Sequence, residues 1–197
     1  RVLYLNAVDF NGLWRVNKKG QFNVPWGNRE GVQMRSRDHI RAVGRVLASA
    51  EIRCADFGEV LLEIESRADV PRLVVFLDPP YGATMPNAST RGVIIGAKGK
   101  VFTGYTTEGF SWEDQVRLAE IASRLARAGA LVVATNTWAE PILDLYCGEF
   151  VVFQVGVRHA IGATGDRRGR RAEMLAVSVR HAGVVESIGA EIRVVKR

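Results

Sequence analysis

The sequence predicts an α/β fold, with a mainly parallel sheet covered by helices on both faces and an antiparallel pair at one edge. Three observations predict it. Short, continuous apolar runs of strand length, LVVFL at 73–77 and ALVVAT at 130–135, have the composition of strands buried on both faces. Segments with helical spacing alternate with them, the pattern of strand–helix–strand units whose strands lie parallel. Late in the chain, FVVFQVGV (150–157) and EMLAVSV (173–179) have no helical segment between them, which makes them an antiparallel pair. With 197 residues, 47% of them apolar, the chain is long enough to bury a core without disulfide staples.

The elements follow in order. Residues 11–28, NGLWRVNKKGQFNVPWGN, read as a β-hairpin: LWRV and QFNV are short β-prone runs, and NKKG between them has turn chemistry. RDHIRAVGRVLASA at 37–50 has helical spacing through Ile40, Val43, Val46 and Leu47. EIRC at 51–54 reads as a short strand, and FGEVLLEIESRA as a helix with Val60, Leu61 and Ile64 on one side. Pro71 ends that unit ahead of the strand at 73–77. Residues 83–110 are glycine-rich, polar and irregular, and read as a long loop of the kind that often carries function. Ser111 opens a strong helix, with Asp114 completing a Ser-x-x-Asp capping box. Val116, Ala119, Ala122, Leu125 and Ala126 form its apolar stripe, and Gly129 stops it. The strand at 130–135, a helix near 139–147 and the last two strands follow, the latter joined by the Gly/Arg-rich GATGDRRGRR. In organisation, residues 1–50 form a region built around the hairpin and residues 51–197 the α/β core.

Charge is distributed unevenly. Residues 1–48 hold nine Lys/Arg against three Asp/Glu, residues 49–157 nine against fourteen, and residues 158–197 nine against four. Basic ends around an acidic middle suit a polyanion that touches only part of the surface, and equally suit a solvated basic surface. No apolar run approaches the ~20 residues that cross a bilayer, and no basic-then-apolar opening reads as a signal peptide. Cys54 and Cys147 lack metal or redox spacing, and His39, His159 and His181 stand apart from them. The expectation is a cytoplasmic protein without metal or membrane. Gly96 and Gly99 in GAKGK superficially suggest a phosphate loop but lack the strand-turn-helix context one requires.

The chemistry concentrates in DPPY at 78–81, where an apolar strand ends. In open α/β sheets ligands bind beyond the carboxyl ends of the strands, and both Asp78–Tyr81 and Thr135–Thr137 fall there. Pro79 and Pro80 fix their own φ and bias the residue before each toward extended geometry. The Asp78 carboxylate and the Pro79 carbonyl are then two rigid acceptors, able to grip an amino group with two hydrogens. Tyr81 adds a flat face for a planar ring. The set suits a heterocycle with an exocyclic amine, such as adenine or cytosine, and such a grip orients the nitrogen lone pair toward an electrophile.

With these motifs, the sequence resembles the Dam-type adenine-specific DNA N6-methyltransferases over nearly its whole length. DPPY matches the family's catalytic motif, and NGLWRVNKKGQFNVPWG its recognition hairpin. CADF at 54–57, FSWEDQVRLAEIA at 110–122, TNT at 135–137 and RRAEMLAV at 170–177 resemble further family segments. The resemblance implies a Rossmann-like S-adenosylmethionine-dependent methyltransferase core, acting on double-stranded DNA at a GATC-like site, of bacterial or phage origin, in host modification or restriction–modification. It implies that an adenine is flipped out of the duplex, held at N6 by Asp78 and Pro79 with Pro80 stiffening the turn, stacked on Tyr81, and methylated directly. It further implies Asp56, Phe57 and Asp78 as cofactor residues, and Asn11, Leu13, Arg15, Asn17, Lys18, Lys19 and Pro25 as DNA-binding residues. Arg15 would read a guanine edge, Asn11 would insert where the base leaves, and the two lysines would hold phosphates; Leu13 and Pro25 are also explained by packing alone. The basic run DRRGRR at 166–171 suits a loop facing phosphate, or a solvated one.

The sequence also departs from the family. The family's Gly-rich cofactor motif and ribose-binding acid come before the recognition region, and nothing like them precedes residue 11 of a chain that opens on Arg1. The expectation is an N-terminally incomplete core with half a cofactor pocket, completed by a missing segment or a second chain, and inactive alone. A non-catalytic DNA-binding remnant and one part of a split enzyme are the alternatives. Trp138 stands where the family carries an acid, and REG at 29–31 interrupts its basic-aromatic run.

Overall fold

The computed structural model describes residues 1–17, 19–28, 30–81, 110–158, 170–183 and 192–195, in two compact units, Arg1–Cys54 and Ala55–Arg197.

The first unit opens with a helix the sequence pattern does not announce, α1 (Val2–Val8), whose VLYLNAV is apolar at most positions and so shows no stripe. A short 3₁₀ turn, Phe10–Gly12, follows, in which Asn11 (φ 61°) and Gly12 (φ 66°) both take the left-handed conformation that this residue pair tolerates. The chain then reverses as expected, but LWRV and QFNV do not form strands. Two isolated antiparallel bridges, Asp9 with Trp26 and Val16 with Phe22, hold the arms. Single backbone bonds splice them: Phe10 N–H to the Pro25 carbonyl (2.9 Å), Asn23 N–H to Arg15 (3.1 Å) and Asn17 N–H to Gln21 (2.9 Å). A full ladder fails because Pro25 has no N–H to give and asparagine side chains compete for backbone partners. A Cβ on Gly27 would lie 2.3 Å from the Asp9 carbonyl oxygen, so the bridge at Trp26 needs glycine beside it. Helix α2 (Arg37–Leu47) is capped by the Ser36 hydroxyl, which accepts from His39 N–H at 3.2 Å; none of its residues is buried. EIRC forms no strand: Ile52 is 77% exposed, and no strand pairs there among the described residues.

The second unit runs α3 (Phe57–Glu65), a 3₁₀ turn Val70–Arg72, β1 (Val74–Leu77), α4 (Trp112–Arg127), β2 (Leu131–Thr137), α5 (Glu140–Leu145), β3 (Phe150–Arg158), β4 (Arg170–Ser178) and β5 (Ile192–Val195). The α/β class holds, and the sheet order is β1-β2-β4-β3-β5. The expected balance of strand directions is corrected. Among the described residues only β1 and β2 pair in parallel, from Val74 with Leu131 to Leu77 with Ala134. β4 lies between β3 and β2 and runs antiparallel to both, and β5 is antiparallel to β3.

One face of the sheet carries the main core. Val75, Leu77, Val132, Ala134, Met174 and Ala176 are buried there, with Leu118, Ala122 and Leu125 of α4 and Ile142 and Leu143 of α5. The other face holds a small cluster of Phe153, Val177 and Ala182, with Leu131, Val133 and Leu175 partly buried beside it. Val74 and Phe76 belong to this second face by strand alternation but are 69% and 63% exposed. Among the described residues the apolar run at 73–77 is therefore buried on one face only, because β1 is an edge strand and none of them covers its outer side.

Candidate active site

Asp78–Tyr81 leave the sheet at the carboxyl end of β1, beside the end of its parallel neighbour β2. Polar connections from β2 and α4 fix this turn. From β2, the Thr135 hydroxyl donates to Asp78 Oδ1 at 2.7 Å, aiming an otherwise exposed carboxylate. From α4, Gln115 Nε2 donates to the Pro80 carbonyl at 3.0 Å. The Gln115 amide oxygen in turn accepts from Asn136 Nδ2 at 2.9 Å, and Asn136 Oδ1 accepts from the Thr137 N–H at 2.8 Å. Gln115 and Asn136 are both 0% exposed. Buried amides are costly unless paired, so this relay of side chains from helix to sheet admits few other arrangements, and it ends on the proline turn.

Tyr81 is half-buried, with its hydroxyl 3.5 Å from Glu173 Oε2. Burial, followed by the nearby Glu173 and Asp78 carboxylates, pushes its phenol up to about 12 against an opposing hydrogen bond from Thr135. The ring therefore stays neutral at physiological pH.

The second predicted cluster, Asp56 and Phe57, begins α3. Asp56 Oδ1 caps the helix by accepting from Gly58 N–H at 2.8 Å. Arg117 of α4 clamps the same carboxylate with both terminal nitrogens, at 2.8 and 2.9 Å, and reaches Asp114 at 3.1 Å. The Arg117 guanidinium holds the Asp56 carboxyl below the usual aspartate range. The guanidinium carbon also lies 4.2 Å from the centroid of the Phe57 ring, and Phe110 sits against that ring at 5.6 Å. A Cβ on Gly58 would meet Arg117 Nη1 at 2.7 Å, so the clamp depends on a glycine there. Because Gln115 and Arg117 lie two residues apart, the first turns of α4 tie the proline turn and the start of α3 to one rigid element. The predicted capping box anchors that element: Ser111 Oγ accepts from Asp114 N–H at 3.1 Å, and Asp114 Oδ2 accepts from Ser111 N–H at 2.9 Å.

The predicted DNA-binding residues lie in the first unit. Arg15 is held across the reversal, with Nε on Asn23 Oδ1 (2.9 Å) and Nη2 on the Asn23 carbonyl (3.0 Å), next to a Trp14–Phe22 ring contact at 5.0 Å. Asn17 shapes the turn: its Oδ1 accepts from the backbone N–H groups of Lys19 (2.9 Å) and Gln21 (3.1 Å). Lys19, Leu13 and Pro25 are exposed, and Asn11 holds its left-handed conformation in the preceding turn. Lys18, residues 83–109 with Gly96 and Gly99, and residues 166–169 of the basic run lie outside the described residues.

Sequence reasoning placed Asn136, within Thr135–Thr137, at the strand end beside the site but gave it no role, and it missed Gln115 and Arg117. Gln115 and Asn136 carried a signal. Gln115 is a polar residue in register with the apolar positions Ala119 and Ala122, and Asn136 falls at a buried position of the β2 alternation after Val132 and Ala134. Arg117 carried none, since its partner Asp56 is 61 residues away. Among the described residues no group of three or more His, Cys, Asp or Glu could hold a metal ion, and no helix is long and apolar enough to cross a membrane.

Comparison with known proteins places these features in a family context. The D12 class N6 adenine-specific DNA methyltransferase family matches residues 1–161. The chain is similar to a type II methyltransferase of Lactococcus lactis subsp. cremoris, with 32% identity over 89% of this chain and 56% of that protein. It is similar to a type II methyltransferase of Methanocaldococcus jannaschii, with 30% identity over 84% of this chain and 52% of that protein. It is similar to a DNA adenine methylase of Vibrio cholerae, with 31% identity over 91% of this chain and 58% of that protein. The chain thus spans about half the length of these curated relatives.

Proposed function

Because the chain belongs to the D12 class of N6 adenine-specific DNA methyltransferases, we propose that it forms the catalytic and DNA-recognition part of an enzyme that methylates the N6 amine of adenine in duplex DNA. The observation that carries this reading is the Asp78–Tyr81 turn at the end of β1, held through the Pro80 carbonyl by Gln115.

In this reading the target adenine is extruded from the stack, because its amine is out of reach inside the duplex. The Asp78 carboxylate, aimed by Thr135, and the Pro79 carbonyl accept the two N6 hydrogens and orient the nitrogen lone pair. The neutral Tyr81 ring stacks on the base. S-Adenosylmethionine, when bound, supplies an electrophilic methyl group. Of the donor set in this chain, Phe57 and Asp78 suit contacts to it. The Asp56 carboxylate is already taken by Gly58 and Arg117, so its contribution is to hold the start of α3 and the Phe57 ring in place. In the hairpin, Arg15 is pre-positioned by Asn23 to read a base edge, Asn17 shapes the turn at Lys19, Lys18 and Lys19 hold phosphates, and Asn11, Leu13 and Pro25 meet the DNA, Asn11 by inserting where the base leaves.

The test is transfer from methyl-labelled S-adenosylmethionine to duplex DNA by the full gene product, followed by nucleoside analysis. N6-methyladenine is expected, with a loss of roughly 100-fold or more on Asp78→Ala. Label on cytosine, or no transfer, overturns the reading; no transfer with salt-sensitive duplex binding retained makes the protein a DNA-binding remnant instead.

A further inference from the structure

We propose that the arginine row of α2, formed by Arg37, Arg41 and Arg45, is a second DNA-contacting surface that grips the phosphate backbone without reading sequence. The proposal rests on the reading of the protein as a duplex-DNA methyltransferase and adds a surface that neither the hairpin nor the proline turn provides.

The three arginines sit at i, i+4 and i+8 of one helix, so they lie on a single face. The helix rises about 6 Å between neighbours and about 12 Å along the row. A duplex presents a phosphate about every 3.4 Å of axis along each strand, so a row of that length spans about three. All three residues are exposed. Among the described residues their one ion pair is Arg41 with Asp38, at 3.5 Å, whose side chains are 67% and 94% exposed, too open to neutralise the row.

The helix does not need these charges for its own stability. Like charges at i, i+4 repel, and Arg37 places a cation at the helix N-terminus, where the macrodipole disfavours one. Only Arg45, in the last turn, sits where a cation helps. Nor is the row pointed at the interior of its unit. Ile40 lines a cavity of about 600 Å³ with Leu3, Asn6 and Ala7 of α1, and the arginines lie roughly a third of a turn around the helix from the Ile40–Val43–Leu47 side.

The charge balance of the chain points the same way. Residues 1–54 hold ten Lys/Arg and four Asp/Glu, whereas residues 55–197 hold seventeen of each, so the whole formal excess of +6 sits in the unit that carries α2. A self-repelling, solvent-facing row of planar, five-donor cations in that unit has the chemistry of phosphate contact.

The test is the salt dependence of duplex binding by the full chain, followed by fluorescence anisotropy with labelled duplexes of unrelated sequence. Each phosphate contact adds about 0.9 to the slope of log affinity against log salt. The triple variant Arg37→Gln, Arg41→Gln, Arg45→Gln is expected to lower that slope by about 2 to 3 and to weaken all duplexes alike. The triple Arg→Lys variant is expected to keep the slope, which separates charge from any effect on folding. A triple Gln variant with an unchanged slope overturns the arginine row alone, as does a loss confined to single-stranded RNA. No duplex binding by the unmodified chain at low salt removes the functional reading and this inference together.

Discussion

Gln115 shows how much of a site one buried side chain can set. It bonds the Pro80 carbonyl through its nitrogen and Asn136 through its oxygen, with no exposed surface. Gln115→Leu keeps the volume but leaves a carbonyl and an amide facing an apolar side chain. Each such orphaned group costs about 1–3 kcal/mol, so the variant is expected to be destabilised by about 2–4 kcal/mol in urea denaturation. A change below about 0.5 kcal/mol, the range of neutral surface substitutions, would show that the relay carries no stability. At this scale the sequence was partly legible: Gln115 and Asn136 announce themselves as polar residues on apolar periods, whereas the Asp56–Arg117 clamp joins residues that no spacing relates.

At the scale of elements, β1 gives the clearest contrast between expectation and structure. Its sequence reads as apolar on both faces, yet only Val75 and Leu77 are buried. Leu77→Ala is expected to cost about 3 kcal/mol, the usual range for truncating a core leucine, and Phe76→Ala less than about 1 kcal/mol, both read by chemical denaturation. Equal losses would mean that the outer face is covered in solution. α4 was legible from its capping box to its glycine stop because cap and period agreed. α1 was not, because a segment apolar at most positions shows no stripe. The two arms of the reversal were legible as β-prone but not as a pair of isolated bridges, since propensity does not count the N–H groups that Pro25 removes.

At the scale of the whole molecule, Tyr81 and Tyr146 link ionisation to stability. Tyr81 is pushed up to about 12, mainly by burial. Burial raises Tyr146 further still, and its hydroxyl has no hydrogen-bond partner among the described residues. Both folded values lie above the unfolded value of 10.0. Their contribution to stability is therefore fully present below pH 10 and is lost as pH rises through the folded values. Spectrophotometric titration is expected to show a tyrosinate step near 12 that Tyr81→Phe removes, with the urea midpoint falling as pH rises above 10. A Tyr81 step near 10 would contradict the burial of the ring at the sheet end.

The sequence by itself determined the α/β class, the long α4 helix, the strands at 73–77 and 130–135, and the reactive-looking turn between them, because cap chemistry, periodicity and proline restriction act within a few residues. The tertiary structure alone decided that, among the described residues, most strand pairs run antiparallel and β1 buries one face, and that Gln115 and Arg117 of α4 brace two distant loops. Each of these depends on which segments meet in space, and neither periodicity nor propensity records contacts between residues tens of positions apart.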